Sequence, residues 1–446
     1  MERARGRAFG HGPRLTAVVP LSLMLTGCPA LLGIDNDYSA GNDGALGGVD
    51  AASTTDGHRP PDARVAIDAT RDGAPRGNDG ASHADARGDA RLPPGDGGSP
   101  PGDASSHDSC TTGCGCPQGQ TMCGTTCVDL TNDLGNCGNC GVSCSAASPS
   151  TATCTNARCI VTLASSGGYG SGIAVDSTSV YWANEDSVLK IPLGGGNITT
   201  LVANAGQSFQ IAINSSNLYW TSFLGSLGRV GLDGSNATTL VSNESINPPY
   251  FVALDGSNVY WTNQTDNTTG TIQSQALAVP GTTSTLVSGQ SLSSGIAVVS
   301  GTLYWADEGG AAAASGSVMT STTTGASQAV FASGQNAYAI AVDSTNVYWT
   351  IPNSPAAVVK APQANSGGGP VTLASGLGEP TGIAVDSEYV YWVDENASNV
   401  MKVAIGGGSP VTVANLLGPQ FLAVDATSIY CTTSSPSGNV FKITPK

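Results

Sequence analysis

Histidine is scarce in this chain of 446 residues, and its four copies, His11, His58, His83 and His107, all precede position 110. Any folded region beyond that point therefore lacks imidazole for general base catalysis or metal ligation. Charged residues make up only 11%, and 33 acidic against 17 basic side chains give a net charge of -16. Because an acidic surface repels phosphates, we expect no nucleic acid partner.

The chain also lacks an apolar run of comfortable membrane-spanning length, and the nearest candidate, residues 15–27, is short and contains Pro20. Basic residues precede it, as in a secretory signal: Arg3, Arg5, Arg7 and Arg14. The run ends in Leu25-Thr26-Gly27-Cys28, which resembles the lipobox of bacterial lipoproteins. That resemblance implies a signal peptide over residues 1–28 and an acylated Cys28 as the membrane anchor. An ordinary signal peptide with an incidental cysteine is the alternative.

The lipoprotein interpretation implies a place in the bacterial cell envelope, and Pro29 after Cys28 favours the outer membrane, with the protein either periplasmic or surface-exposed. Residues 29–109 repeat Gly, Asp, Ala, Pro, Ser and Arg and hold almost no large apolar side chain. Such a segment cannot offset the entropy cost of folding, so we predict a disordered tether. A flexible chain of about 80 residues spans roughly 50 Å.

Ten cysteines crowd into the next segment, residues 110–159: Cys110, Cys114, Cys116, Cys123, Cys127, Cys137, Cys140, Cys144, Cys154 and Cys159. An even number in an oxidising compartment predicts five disulfides with unknown pairing. Half of a zinc site at Cys137-Gly-Asn-Cys140 is the alternative. The run from Cys123 through Cys137 and Cys140 to Cys159 resembles the cysteine-rich module of the plant stigma-specific protein family. That resemblance implies an extracellular disulfide knot without known catalytic activity.

Residues 160–446 repeat an aromatic pair preceded by a short apolar strand and a turn. The pairs are Tyr181-Trp182, Tyr219-Trp220, Tyr260-Trp261, Tyr304-Trp305, Tyr348-Trp349, Tyr391-Trp392 and the degenerate Tyr430-Cys431. Spacings near 40 residues are typical of a four-stranded propeller blade. The segment 161–164 matches the fourth strand that the last repeat lacks. We therefore predict an all-β, seven-bladed β-propeller closed by an N-terminal strand swap, with Cys431 as a buried free thiol.

The repeats resemble the Tyr-Trp-Thr-Asp (YWTD) propellers of the low-density-lipoprotein-receptor class, most clearly at Tyr260-Trp261-Thr262-Asn263. Those receptors have six blades, and their motif Asp persists here only as Asp307 and Asp394, so the resemblance implies the fold and not the receptor function. Acidic residues that begin the turns after the first strand of each unit, such as Asp176 and Asp343, are predicted to cap those turns. Lysines in the third strands are predicted to cover apolar surface with their stems.

Loops on one face of the ring combine acids with aromatic residues. The candidates for ligand binding are Glu185, Asp186, Asp307, Glu308, Asp394, Glu395, Phe209, Tyr250, Tyr338 and Phe421. Such a set suits a glycan, a basic peptide or protein, or Ca²⁺, although no metal site, cofactor or catalytic residue is predicted. We expect a non-catalytic binding or scaffold module. A carboxylate-dependent glycan enzyme and a purely structural envelope component are the alternatives.

Overall fold

The computed structural model describes residues 115–145, 151–242, 248–264, 269–278, 281–309, 316–364 and 369–446. The signal segment, Cys28, the tether, Cys110 and Cys114 lie outside these residues. Within them the regular elements are all strands, numbered β1 to β31 below. None of the described residues forms a helix long and apolar enough to cross a membrane.

The first four strands belong to the cysteine-rich segment and its exit. They are β1 (Thr121–Cys123), β2 (Thr126–Val128), β3 (Thr151–Thr155) and β4 (Arg158–Ser165). Disulfides join Cys116 to Cys127, Cys123 to Cys140, Cys137 to Cys154, and Cys144 to Cys159. Eight of the ten cysteines are thus paired as predicted. The sulfurs of Cys137, Cys144 and Cys159 lie within 4.8 Å of one another, but because each is disulfide-bonded, no thiolate remains for the zinc alternative.

Six antiparallel sheets of four strands follow in chain order. Blade 1 consists of β5 (Gly170–Val175), β6 (Ser179–Asn184), β7 (Ser187–Pro192) and β8 (Thr199–Ala203). Blade 2 consists of β9 (Ser208–Ile213), β10 (Asn217–Ser222), β11 (Ser226–Gly231) and β12 (Thr238–Val241). Blade 3 consists of β13 (Pro249–Leu254), β14 (Asn258–Asn263), β15 (Gly270–Ala276) and β16 (Thr283–Gln290). Blade 4 consists of β17 (Ser293–Val299), β18 (Thr302–Asp307), β19 (Ser317–Thr322) and β20 (Ala329–Ser333). Blade 5 consists of β21 (Ile340–Val342), β22 (Asn346–Ile351), β23 (Ala357–Pro362) and β24 (Val371–Ser375). Blade 6 consists of β25 (Pro380–Val385), β26 (Tyr389–Asp394), β27 (Asn399–Ala404) and β28 (Val411–Asn415).

Blade 7 closes the ring. Its strands are β29 (Pro419–Val424), β30 (Ile429–Thr433) and β31 (Asn439–Thr444), and β31 pairs with β4, so Val440 lies opposite Ala164 and Lys442 opposite Val161. This confirms the predicted strand swap. The innermost strand of each blade contacts that of the next, and β29 contacts β5, which makes seven sectors. The sheet also has a fifth strand, β3, which we had not predicted.

The Tyr-Trp pairs form the packing between blades. Adjacent strand residues point to opposite sheet faces, so the Tyr faces one neighbouring blade and the Trp faces the other. Tyr348 of blade 5, for example, shares a core cluster with Trp392 of blade 6. At the next seam Tyr391 packs with Cys431, which is fully buried and unpaired, as predicted. Phe441 lies opposite Cys431 in the neighbouring strand and takes up volume that a Trp would fill.

A threonine after several of these pairs bonds to the innermost strand and to the next blade. Thr350 Oγ1 accepts the Ala339 N–H at 3.1 Å and donates to the Thr381 carbonyl of blade 6 at 2.9 Å. Most innermost strands carry a bulge near this point, and the bulge frees a backbone N–H for the hydroxyl. Blades approach closely here, since a Cβ on Gly295 would lie 2.5 Å from the Tyr338 carbonyl oxygen. The backbones of neighbouring blades are therefore in direct contact at this end of the innermost strands.

Candidate functional site

The ring has two faces that differ in their connections. We call one the loop face. It consists of residues 166–169, 185–186, 204–207, 223–225, 291–292, 308–309, 334–339, 352–356, 376–379, 395–398, 416–418 and 434–438, with the strand ends beside them. The other, the turn face, carries the turns after each innermost strand and after each third strand. The loop face holds the carboxylates Glu185, Asp186, Asp307, Glu308, Glu379, Asp394 and Glu395. Among the described residues no Lys or Arg lies in its loops.

Asp394 is the last residue of β26, and it holds a loop of its own blade. Its oxygens accept the N–H groups of Gly378 and Glu379 at 2.8 Å and of Ala397 at 3.1 Å, and the residue is 2% exposed. Asp307 takes the same position in blade 4 and accepts backbone N–H groups at 3.2–3.3 Å. Burial raises the pKa of Asp307. The structure thus gives both residues a loop-capping contact; their role in ligand binding stays a prediction.

The residue after this cap carries a partly buried carboxylate in blades 4 and 6. Burial raises the pKa of Glu308 to about 7, with repulsion from Asp307 adding and a hydrogen bond from Ser294 opposing. Burial also raises the pKa of Glu395, whose Oε1 accepts the Ser434 hydroxyl at 3.3 Å. Glu308 Oε1 and Glu395 Oε2 are buried without a hydrogen-bond partner. Glu185 and Asp186, in blade 1, are fully exposed by comparison.

Glu379 is a further loop-face acid that the sequence analysis missed. It precedes β25, is 3% exposed, and has a pKa raised to about 7 by burial and by repulsion from Glu395 and Asp394. Its Oε1 also has no hydrogen-bond partner. One weak signal was visible in the sequence, an acid placed between Gly378 and Pro380. The spacing of acids along the chain, however, does not reveal which loops lie next to each other in the fold.

The predicted aromatic candidates close the central channel at the loop face. Phe209 stacks on Tyr250 with ring centroids 4.7 Å apart and meets Phe421 edge-on at 5.6 Å, while the Tyr250 and Tyr338 hydroxyls lie 3.2 Å apart. The structure brings together these rings from blades 2, 3, 5 and 7, as predicted from loop positions, but each is at most 7% exposed. They form a core plug, and their predicted contact with a ligand is untested.

The second apolar feature of the loop face is exposed. Phe223 is 39% and Leu224 60% exposed in the loop after β10, and the Phe223 ring packs on Phe209 at 4.8 Å. The plug therefore extends outward into an accessible apolar patch beside acidic loops. This patch was not predicted from the sequence, because acids were the expected binding residues of these loops. Phe223 occupies the position that Glu308 and Glu395 take in blades 4 and 6.

The aspartates that begin the turns of the turn face, in contrast, are hydrogen-bonded through both carboxylate oxygens. Asp343 Oδ1 accepts the N–H groups of Thr345 and Asn346, which confirms the predicted turn cap, and its Oδ2 accepts the Tyr348 hydroxyl at 2.6 Å. The same pattern recurs in four other blades at Asp176, Asp255, Asp386 and Asp425, with tyrosine hydroxyls at 2.7–2.9 Å. The repeated Tyr thus has a polar partner as well as a packing role.

Turn-face lysines bond across the seams between blades. Lys190 donates to the Leu232 carbonyl of the next blade at 2.6 Å, and Lys442 of blade 7 donates to the Leu193 carbonyl of blade 1 at 3.1 Å. Lys360 and Lys402 make equivalent bonds. Each of these four lysines thus makes an inter-blade hydrogen bond, and the packing of their stems stays a prediction.

No known family model matches the chain, and no curated protein matches it significantly. Several solved structures, in contrast, are similar to this chain. Virginiamycin B lyase from Staphylococcus aureus aligns with 64% of this chain and 98% of its own at 13% identity, with a TM-score of 0.53. The RRP9 WD40 repeats align with 64% and 97% at 14% identity and a TM-score of 0.52. A chain of a nidogen/laminin complex covers 60% of this chain and 98% of its own at 17% identity and a TM-score of 0.45. At these identities the similarity shows the propeller fold alone.

Proposed function

We propose that this protein is a non-catalytic binding or scaffold module of the bacterial cell envelope, and that its loop face binds a basic protein or peptide. The observation that carries the proposal is the combination on one face of exposed Phe223 and Leu224 with acidic loops that contain no Lys or Arg among the described residues. Exposed aromatic and aliphatic anchors supply binding energy, and the acids favour a partner of opposite charge.

The proposed location derives from the sequence. Acylation of Cys28 would anchor the protein, and the segment 29–109 would hold the ring away from the lipid surface. Disulfides in the cysteine-rich segment support an oxidising compartment. The same segment contributes β3 and β4 to blade 7, so the tether would pull on a sheet of the ring and not on a loose linker.

Binding is favoured over glycan hydrolysis by the state of the acids. A glycosidase needs two free carboxyl groups facing one bond. Asp307 and Asp394 hold backbone N–H groups, while Glu308 and Glu395 turn toward Ser294 and Ser434 respectively. Adjacent acids therefore have different surroundings, as expected for neighbouring residues at a strand end. Neither pair forms an open catalytic couple.

The proposal is tested by photo-crosslinking and peptide selection with the full chain. A benzophenone amino acid at position 223 should capture a partner from envelope material, and one at exposed Ser387 on the turn face should not. Peptides selected on the protein should be basic. Their affinity for the double variant Glu185→Lys/Asp186→Lys should be at least about tenfold lower than for the wild type. Glu388→Lys, an exposed acid on the turn face, is the matched control and should bind normally.

Two results would contradict the proposal. The enzyme alternative would be established if the protein turned over a glycan and if Glu308→Ala or Asp394→Ala abolished that turnover while the affinity for the glycan was retained. Equal crosslinking at positions 223 and 387, with no selected peptide, would favour the structural alternative.

A further inference from the structure

Two buried glutamates meet at the seam between blades 6 and 7. Glu379 precedes β25 and Glu395 follows β26, and the Glu395 N–H donates to the Glu379 carbonyl at 2.9 Å. This bond sets the two residues side by side across the blade. Ser434, at the equivalent position of blade 7, donates from its hydroxyl to Glu395 Oε1 at 3.3 Å. The three residues come from three loops of the loop face, two of blade 6 and one of blade 7.

The two carboxylates lack compensation for their charge. Glu379 Oε1 and Glu395 Oε2 are buried and accept no hydrogen bond from the described residues. No described Lys or Arg lies in the loops of this face. An unpaired buried carboxylate costs several kcal/mol unless a proton or a cation neutralises it. Their mutual repulsion, together with burial, also raises the pKa of Glu379.

We propose that a hard divalent cation, Ca²⁺, binds between blades 6 and 7, with Glu379 Oε1 and Glu395 Oε2 as its charged ligands. Two carboxylates match the charge of one divalent cation, and oxygen is the ligand that Ca²⁺ takes. The Ser434 hydroxyl is a neutral ligand within reach of Glu395. The inference concerns this seam only and does not depend on the proposed partner of the loop face.

Glu379 Oε1 and Glu395 Oε2 have almost no accessible surface, so the side chain of a partner protein does not reach them. The site contains only two available carboxylates because Asp394 is committed to three backbone N–H groups. Among the described segments no three acidic residues bring one carboxylate oxygen each within 4.8 Å of one another. The remaining ligands would be neutral oxygens, an arrangement that Ca²⁺ tolerates because its coordination geometry is flexible.

Blade 4 provides an internal comparison. Asp307 and Glu308 correspond there to Asp394 and Glu395, and the Glu308 N–H donates to the carbonyl of Leu292, the counterpart of Glu379. Blade 4 thus has a partly buried glutamate bonded to a leucine carbonyl, and blade 6 has two glutamates joined by the same backbone bond. Glu379→Leu converts the blade 6 arrangement into that of blade 4, which the fold already accommodates.

The test is a metal titration of the purified full chain after treatment with a chelator. Calorimetry at pH 7.5 with CaCl₂, and MgCl₂ in parallel, should give about one Ca²⁺ site per chain, and saturating Ca²⁺ should raise the melting temperature by several degrees. Glu379→Leu and Glu379→Gln should lose both responses and should melt at a higher temperature than the metal-free wild type, since each removes a buried charge. Glu308→Gln should keep the Ca²⁺ response.

Tryptophan emission of the variants verifies folding, because five of the Trp side chains are fully buried in the blade seams. The acidic tether could add weak Ca²⁺ heat, but that heat is common to all variants and is removed by subtraction. Identical titrations of the wild type and Glu379→Leu, or a melting temperature independent of Ca²⁺, would overturn the proposal and leave a proton as the neutralising group.

Discussion

Acids on the turn face and acids on the loop face have opposite environments in the same blades. Asp386 on the turn face accepts two backbone N–H groups, the Tyr391 hydroxyl and the Lys446 ammonium, whereas Glu379 on the loop face keeps a buried oxygen without a partner. Burial alone would raise the pKa of Asp386, but these hydrogen bonds hold it at about 2. The pKa of Glu379 is about 7.

This difference separates stability from function within one repeat. The turn-face contacts recur from blade to blade, so they are part of what makes each unit fold. Loop-face residues vary between blades at equivalent positions, for example Phe223, Glu308, Glu395 and Ser434. Uncompensated buried charge is costly and is therefore expected where a site requires it. Four predictions test this division, from the largest expected effect to the smallest.

The largest effect is expected at the turn-face caps. Asp343→Ala removes the carboxylate that accepts two backbone N–H groups and leaves the Tyr348 hydroxyl unpaired, so the free energy of unfolding should fall by roughly 2–4 kcal/mol. Asn214→Ala is the control, since Asn214 Oδ1 accepts the N–H groups of Ser216 and Asn217 in the equivalent turn. It should cost about 1 kcal/mol. Equal losses in urea unfolding would show that the Tyr contact adds nothing.

The two faces should respond to pH with opposite signs. Glu308 has a folded pKa of about 7 against 4.5, so the native state binds more protons between these values and its stability falls as pH rises through that window. The pKa of Asp386 is lowered from 3.8 to about 2, so its contribution is lost as pH falls through that range. Glu308→Gln should therefore gain at most about 3 kcal/mol at pH 8 and nothing at pH 4. A gain independent of pH would refute the assignment.

The inter-blade lysines should have a smaller effect. Lys360→Met keeps the aliphatic stem but removes the hydrogen bond to the Ile405 carbonyl of the next blade, and should cost about 1 kcal/mol of unfolding free energy. Thermal unfolding measures the loss. A variant as stable as the wild type would mean that stem packing, as the sequence suggested, accounts for the whole contribution.

The smallest effect on stability is expected for the exposed apolar patch. Phe223→Ser should change the unfolding free energy by less than about 1 kcal/mol, because the ring is 39% exposed and the Phe209–Tyr250 stack beneath it remains. The same variant should abolish binding of selected peptides. A large loss of stability would instead place Phe223 in the core plug and remove it from the proposed surface.

The ring and its closure could be predicted because they depend on short-range pattern. The Tyr-Trp spacing and the match of residues 161–164 to a fourth strand are both visible along the chain. The loop face was predicted less well, because the sequence places Asp394 at a strand end but does not reveal that its oxygens accept the Gly378 and Glu379 N–H groups. Glu379 was missed, and its importance arises from its proximity to Glu395, which is distant from it in sequence.

The sequence by itself determined the repeat, its number of copies and the segment that completes the last blade, because alternation of side chains and strand length are local properties. Only the tertiary structure decided which acids keep an uncompensated charge and which rings are covered. Burial and hydrogen bonding depend on contacts between blades, and these exist only after the ring has closed.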